Sequence, residues 1–311
     1  MQAQAVVFQN PQHLLMQSLE LPAPVSGEVE VQIEYSGIST GTERLLWDGT
    51  MPAFPGMGYP LVPGYESVGH VVRAGPETTL KSGDRIFVPG AQCFQGVRNL
   101  FGGSASRLVV QEARTVKVQE SLGERAVLMA LAATAQHALA ESTPPDLIIG
   151  HGVMGRLLAR LTIAAGHPAP VVWELNAARQ SGAEGYTVIS SEDDQRRDYR
   201  AIYDVSGDSS ILDKAIARQA PGGEVVLAGF YKQSLSFAFA PAFMRETRIR
   251  IAAQWKHNDL LAVTSLAHSG KLSLDGLITH TEAPSNAGNA YQIAFSDSLC
   301  LKMVLDWKHC A

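Results

Sequence analysis

The sequence predicts an α/β protein in which a β-rich part shares one chain with a doubly wound parallel sheet. Three observations carry this. From residue 1 to about 120, short alternating runs are separated by Gly and Pro turns. After about residue 122, short and wholly apolar strands alternate with helical runs, the pattern of a parallel sheet covered on both faces. A Gly-x-Gly-x-x-Gly turn then joins one such strand to one such helix. The length of 311 residues fits two domains. The expected division is 1–122, 123–255, and a return segment, 256–311, that completes the first domain.

The opening stretch MQAQAVVFQNPQHLL lacks a basic region followed by a long apolar one, so it reads as a first strand rather than a secretory signal. VEVQIEYSGI, GHVVRAG, DRIFVPG, ASRLVV and RTVKV come next as strands. Between the first two lies Met51 to Gly64, dense in proline and glycine, which predicts a long shaped loop without regular structure. A helix is expected over ERAVLMALAATAQHALAE, ending at Glu141. Its apolar core, Ala126 to Ala140, is broken by Thr134, Gln136 and His137. It is too short and too polar to span a bilayer. Then come the strand DLIIG with the helix RLLARLTIAAG, the strands VVWEL and TVIS, the strand AIYDVSG with the helix ILDKAIARQA, and the strand EVVLAGF. The sheet is expected to end near Trp255. A helix in NDLLAVTSLAHSG, a strand at LITH, a helix in AGNAYQIAFS and a last strand in CLKMVLDW complete the chain.

Composition narrows the function. Hydrophobic residues make up 46% and charged residues 18%, ordinary for a globular protein with a real core. The net charge of -5, with no run of Lys or Arg, argues against a nucleic-acid partner. Cys93, Cys300 and Cys310 are scattered without a Cys-x-x-Cys pair. That excludes a structural zinc site on ligand count, argues against a disulfide framework, and fits a reducing cytoplasm. Contact with a membrane surface stays open.

The glycine turn is Gly150-His151-Gly152-Val153-Met154-Gly155. Gly150 permits the tight turn, Gly152 lets the backbone approach a pyrophosphate, and Gly155 lets helix and strand pack closely. The helix start at Val153 and Met154 offers N–H groups to the phosphates. Glu174, at the end of the next strand, stands where an acid accepts hydrogen bonds from the adenosine ribose and repels a 2′-phosphate. NAD is therefore expected over NADP. Arg179 is five positions further on, at the start or on the face of a helix. His151 is either a phosphate or substrate contact or a solvent-exposed loop histidine. Ser206, Gly207 and Gly229 end strands beside the switch point and are expected on the nicotinamide side.

The segments SGISTGTE, PGYESVG, GDRIFVPG, GGSASRLVV, AATAQHAL, GHGVMG, PGGEVVLAGF and LDGLITH together resemble the medium-chain dehydrogenase/reductase superfamily over the whole chain. The resemblance implies a GroES-like substrate domain interrupted by a Rossmann domain. Its zinc enzymes hold the metal with Cys, His and Cys. Here those positions fall on Ser39 or Thr40, on Tyr65, and near Ala130, which implies no metal. Glu66 alone survives, and one carboxylate is not a zinc site.

Among metal-free members, the stretches WDGTMPAFPGMGYPLVPGYESVG and LCLKMVLDWK resemble the bacteriochlorophyllide dehydrogenases of bacteriochlorophyll biosynthesis. That resemblance implies NAD-dependent oxidation of a 3-(1-hydroxyethyl) group to 3-acetyl, on a tetrapyrrole, peripheral to photosynthetic membranes. By analogy with relatives that pair through the Rossmann sheet edge, it also implies a homodimer at EVVLAGF and the residues just after that strand. Without a metal the protein must supply a base or a polarising hydrogen bond. Tyr65 is the first candidate, against a packing role. Ser39, Thr40 and Thr42 are candidates to orient the hydroxyl or relay its proton, and Glu43 and Glu66 are candidate bases. Glu66 is equally readable as the partner of a buried Arg. His280 in LITH reads as structural. Trp47, Phe54, Met57 and Tyr59 are expected to line the flat apolar face of the macrocycle, or else to anchor their loop. Two alternatives remain: a zinc-independent quinone or enoyl reductase using NADPH, and a tetrapyrrole carrier without turnover.

Overall fold

The computed structural model describes residues 1–140 and 142–310. Glu141, where the long helix is expected to end, lies outside the described residues. The chain divides into two compact units, Met1–Ala130 with Asp275–Ala311, and Leu131–Leu274.

The first unit begins with β1 (Gln2–Asn10), β2 (His13–Glu20), β3 (Glu28–Ile38) and α1 (Thr42–Asp48). It continues with β4 (Leu61–Val62), β5 (Ser67–Ala74), β6 (Arg85–Val88), β7 (Arg98–Asn99), β8 (Arg107–Gln111) and β9 (Val116–Lys117). The second unit holds α2 (Met129–Leu139), which starts at the break, then β10 (Leu147–Ile149), α3 (Val153–Ala164), β11 (Val171–Trp173), β12 (Thr187–Ile189) and β13 (Tyr199–Asp204). It goes on through α4 (Ile211–Arg218), β14 (Gln219–Leu227), α5 (Phe239–Met244), β15 (Arg248–Ile251) and α6 (His257–His268). The return to the first unit carries β16 (His280–Glu282), α7 (Ala287–Ser296) and β17 (Met303–Asp306).

In the first unit a seven-stranded sheet runs β16-β17-β3-β5-β6-β9, with β8 also paired to β3. A four-stranded sheet runs β2-β1-β4-β7. β3 is central because its alternating Val29, Val31 and Ile33 are fully buried, and the strand pairs antiparallel with β5, with β8 over residues 28–32, and with β17 over residues 35–38. Its pairing with β17, Met303 opposite Ile38, stitches the C-terminal segment into the sheet. The proline-rich stretch is not wholly irregular. Leu61–Val62 forms β4, joined to β1 and β7, because both side chains are buried and Phe8 stands opposite Leu61. Thr42–Asp48, which carries no long apolar period, closes into one short helix, ended by Gly49 in the left-handed region.

The second unit is a parallel sheet in the order β12-β11-β10-β13-β14-β15. In its own count this is 3-2-1-4-5-6, the doubly wound order whose direction reverses between β10 and β13. The unit runs on past Trp255 because α6 belongs to it: Leu260 and Val263 are buried, and Asp259 meets His137 of α2 at 2.8 Å. The segment before α2, Glu120–Leu128, is 3-10 turns broken at Gly123 rather than the start of an α-helix. Among the described residues no helix is long and apolar enough to cross a membrane.

Candidate active site

In the second unit the chemistry gathers at the carboxyl ends of β10 and β13, the switch point where open α/β sheets bind ligands. The turn after β10 works as its glycines suggest. Gly150 has φ +104°, and a side chain there would press Ser206 at 3.2 Å. A side chain on Gly155 would sit 1.9 Å from the Gly150 carbonyl oxygen, so only glycine lets α3 approach its strand. Gly152, by contrast, faces open space, the room a pyrophosphate needs beside the N–H groups of Val153, Met154 and Gly155. Ser206 N–H donates to Asp204 at 3.0 Å, Gly229 N–H donates to the Asp204 carbonyl at 3.1 Å, and Gly207 has φ +72°. These three residues border the same strand ends. Asp204 itself, which the sequence did not single out, is fully buried. Burial pushes its carboxyl above the usual range although Tyr231 donates to it at 2.5 Å.

His151 is not a solvent-exposed loop residue. It is fully buried. Its ring meets the Arg179 carbonyl at 2.6 Å through Nδ1 and the Tyr186 hydroxyl at 2.8 Å through Nε2. Burial pulls the imidazole down to about 4, so it is neutral at physiological pH. A ring engaged through both nitrogens is not free to contact a phosphate or the substrate. Glu174 accepts from the His151 N–H at 3.1 Å and from the Asn176 N–H at 2.8 Å, just beyond β11. Arg179 closes a 3-10 turn, Ala177–Arg179, capped by Asn176.

In the first unit the ends of three strands converge. Glu66 immediately precedes β5 and Lys302 immediately precedes β17, both beside Gly37 and Ile38 at the end of β3. Lys302 Nζ donates to Glu66 Oε2 at 2.5 Å and to the Ile38 carbonyl at 3.1 Å, with both side chains buried. A side chain on Gly37 would lie 2.3 Å from Glu66 Oε2, so that glycine makes room for the carboxylate. Glu66 Oε1 is buried without a hydrogen-bond partner. The buried cation that Glu66 finds is thus a lysine, not an arginine.

Above this pair sit the hydroxyls. Ser39 Oγ and Tyr65 OH are 2.6 Å apart, and Thr42 is a further hydrogen-bonding neighbour of the phenol. Tyr65 is half-buried and stands edge-to-face with Phe101, ring centroids 5.6 Å apart. Burial, with the Glu66 carboxylate beside it, pushes the phenol above its ordinary range, so Tyr65 stays protonated at physiological pH and cannot be a resting-state base. Glu43 lies fully buried on α1, accepting from Ser39 N–H at 3.1 Å and from Tyr291 OH at 2.8 Å. Desolvation raises it to about 8, so it too is mostly protonated at neutral pH.

The expected macrocycle contacts separate. Trp47 stacks on Tyr291, centroids 6.2 Å apart, and meets Phe8 at 5.4 Å. Met57 and Tyr59 pack against the same core, Tyr59 donating to the Leu46 carbonyl. Phe54 stays 37% exposed, as does Phe101. Lys302, Tyr291 and Phe101 were missed. They lie 236, 226 and 36 residues from Glu66 or Tyr65, and only the short run LCLKMVL offered a hint, a lysine inside an apolar strand. His280 contacts Thr279 at 2.9 Å, next to β17. Among the described residues no three His, Cys, Asp or Glu side chains gather as metal ligands. Ser39 and Tyr65, both expected at or beside vacated ligand positions, are hydrogen-bonded to each other.

The chain is 55% identical over 311 residues to the 2-desacetyl-2-hydroxyethyl bacteriochlorophyllide A dehydrogenase of Rhodobacter capsulatus, covering 99% of each chain. It belongs to the family of these dehydrogenases. The protein of that name from Cereibacter sphaeroides is 54% identical, again with 99% of each chain covered. Residues 25–120 match the alcohol dehydrogenase GroES-like domain, the domain of the medium-chain dehydrogenase/reductase superfamily. Among solved structures, the 2R,3R-butanediol dehydrogenase of Bacillus subtilis superposes with TM-score 0.84 at 21% identity, covering 98% of this chain and 99% of that one. A short chain alcohol dehydrogenase of Escherichia coli CFT073 complexed with cofactor NADH gives 0.83 at 21%, with the same coverage. These likenesses bear on the fold alone, and the fold they share is the GroES-like and Rossmann pair expected from the sequence.

Proposed function

We propose that the chain oxidises the hydroxyethyl substituent of a bacteriochlorophyllide to an acetyl group, without a metal and with NAD. This substituent is numbered 2 or 3 according to the ring-numbering scheme. The full-length identity to relatives of that name carries the substrate, and the hydrogen-bonded Ser39–Tyr65 pair carries the chemistry. The secondary alcohol loses hydride from carbon and a proton from oxygen, giving the ketone, reduced cofactor and one proton. When bound, NAD supplies the hydride acceptor.

Tyr65, held neutral, donates a hydrogen bond to the substrate oxygen as negative charge grows on it. Burial makes that bond worth more than it would be in water. Ser39 and Thr42 fix the direction of the phenol. Ser39 or Thr42 would relay the leaving proton inward to Glu66, whose buried Oε1 lacks a donor, and the Lys302 ammonium keeps that carboxylate in place. Glu43, protonated and tied to Ser39 N–H, holds the turn that carries Ser39. Phe101, exposed beside Tyr65, and Phe54 offer apolar faces to a flat ring, whereas Trp47, Met57 and Tyr59 serve chiefly to set the loop.

Gly152, Val153, Met154 and Gly155 would hold the pyrophosphate, with Gly150 and His151 shaping the turn that presents them. Glu174 would hold the ribose and select NAD over NADP. Ser206, Gly207 and Gly229 would border the nicotinamide. A homodimer through β15 belongs to the same reading. That strand is the sheet edge, and Phe239, Phe243, Met244 and Ile251 are exposed on or near it. So do a place in a reducing cytoplasm, supported by three free cysteines, and one at the surface of photosynthetic membranes, supported by the likeness to bacteriochlorophyllide dehydrogenases. Gel filtration and membrane fractionation test these two points.

The deciding experiment is an absorption spectrum of the protein with the hydroxyethyl pigment, with NAD and separately with NADP. The new carbonyl is conjugated with the ring, so oxidation moves the long-wavelength band to the red. A red shift that requires NAD and survives a chelator is the expected result. Bound pigment without a shift refutes the reading in favour of a carrier, and a shift requiring NADP refutes the cofactor assignment.

A further inference from the structure

His151 occupies a position of the glycine turn where the turn itself demands no particular side chain, yet its ring is turned inward and fully used. The Arg179 carbonyl can only accept, so Nδ1 carries the proton and donates to it at 2.6 Å. Nε2 is then an acceptor and takes the Tyr186 hydroxyl at 2.8 Å. The carbonyl of the same residue accepts from Arg156 Nε at 3.1 Å, and its N–H donates to Glu174 at 3.1 Å. Residue 151 is thus pinned at four points. The other ends of these bonds hold the segment after β11. Arg156, buried on α3, donates from its two terminal nitrogens to the carbonyls of Gly182, Arg179 and Ser181 at 2.8 to 3.2 Å. A side chain on Gly182 would meet Arg156 at 2.5 Å, so that segment is closed tightly over the guanidinium.

We propose that His151 and Tyr186 are positioning residues of the cofactor site: they lock the glycine turn to the segment after β11, hold Glu174 against that turn, and so set the preference for a free ribose 2′-hydroxyl over a 2′-phosphate. The physical reason is geometric. Glu174 has one oxygen on the His151 N–H and the other on Asn176 N–H, so its carboxylate is aimed only as well as residue 151 is held. A loosely held carboxylate swings away from a 2′-phosphate at little cost. A fixed one must meet it. Glu174 itself belongs to the NAD reading above, and the proposal rests on that reading. The device that aims it is assembled from the His151, Tyr186 and Arg156 side chains.

The test compares wild type with Tyr186→Phe, His151→Asn and His151→Ala in the full chain. NADH and NADPH binding are each followed by cofactor fluorescence, and the fold is checked by thermal unfolding without cofactor. Tyr186→Phe removes one donor and nothing else. It is expected to weaken NADH by about ten-fold, the size of one lost buried hydrogen bond, while NADPH changes little, so the preference shrinks. His151→Asn keeps a donor for the Arg179 carbonyl and is expected to fall between wild type and His151→Ala. Nitrogen-15 shifts of the imidazole in the protein without cofactor should show the Nδ1-protonated neutral form. If NADH and NADPH weaken by the same factor, or neither changes in Tyr186→Phe, the proposal is overturned while the NAD reading stands. If wild type shows no preference for NADH, the NAD reading fails and the proposal with it.

Discussion

Replacing Glu43 by glutamine should make the protein markedly less sensitive to alkali, and the size of the effect comes from where this carboxyl sits. Glu43 is fully buried, and desolvation raises it from 4.5 to about 8 against the help of Tyr291 OH and Ser39 N–H. In the unfolded chain it ionises near its ordinary value. Its folded pKa is the higher of the two. The stability it contributes is therefore fully present below pH 4.5 and is lost as pH rises through about 8. Integrating one proton over those limits, wild type loses about 3 kcal/mol between pH 5 and pH 8 from this group alone. Glutamine imitates the protonated acid: its oxygen can accept from Ser39 N–H, and its amide can donate to the Tyr291 oxygen. Urea unfolding of wild type and Glu43→Gln at several pH values isolates the difference, since every other titrating group is shared. The gap should open in favour of the variant by about 3 kcal/mol from pH 5 to pH 8. Parallel curves would mean that Glu43 is already ionised in the folded protein at pH 5, and the desolvation argument would fall.

The same geometry sets other outcomes. Lys302→Met strands the Glu66 carboxylate in the interior and should cost about 3 to 5 kcal/mol in chemical denaturation, most of it recovered in the Lys302→Met, Glu66→Gln double variant. Tyr65→Phe should lower kcat/KM by about 10² to 10³ with folding intact, and Ser39→Ala by less, both read from the initial rate of the red shift. Dialysis against a chelator should leave that rate unchanged, because the proposed step uses hydroxyls and no three His, Cys, Asp or Glu side chains gather among the described residues. The His151 imidazole, pulled down to about 4, is destabilising as pH falls from 6.5. Wild type should lose up to about 3 kcal/mol between pH 6.5 and 4 that His151→Asn does not lose. Gly155→Ala puts a methyl 1.9 Å from the Gly150 carbonyl and should abolish NADH binding, measured by fluorescence titration.

What could be read in the sequence was what is local. The turn from Gly150 to Gly155 announces itself because glycine spacing, a preceding apolar strand and a following helix all lie within twenty residues. The doubly wound parallel sheet is legible from short apolar strands alternating with helices, whereas its strand order is not. The expected vacated ligand positions, Ser39 or Thr40 and Tyr65, could be named but not joined, and the 2.6 Å contact between Ser39 and Tyr65 is a fact of packing. The Glu66–Lys302 and Glu43–Tyr291 pairs span 236 and 248 residues, and no periodicity links such partners. His151 reads as a loop residue because its neighbours are glycines. Its burial is decided by Tyr186 and Arg179, far along the chain. The short helix Thr42–Asp48 gives too few turns for a periodic signal, and Leu61–Val62 is a strand because Phe8 on one side and Arg98–Asn99 on the other pair with it.

The first unit is sewn shut by its last strand. β17 pairs with β3 some 265 positions earlier, and the same return segment brings Tyr291 and Lys302 to Glu43 and Glu66. On the ribosome, therefore, β3 waits with an open edge while the whole second unit, contiguous from Leu131 to Leu274, is made and can close on itself. Two buried acidic side chains, Glu43 and Glu66, are completed only by residues synthesised after it. A chain halted before residue 302 would hold Glu66 without its cation, so the first unit has a built-in penalty against closing around an unfinished site.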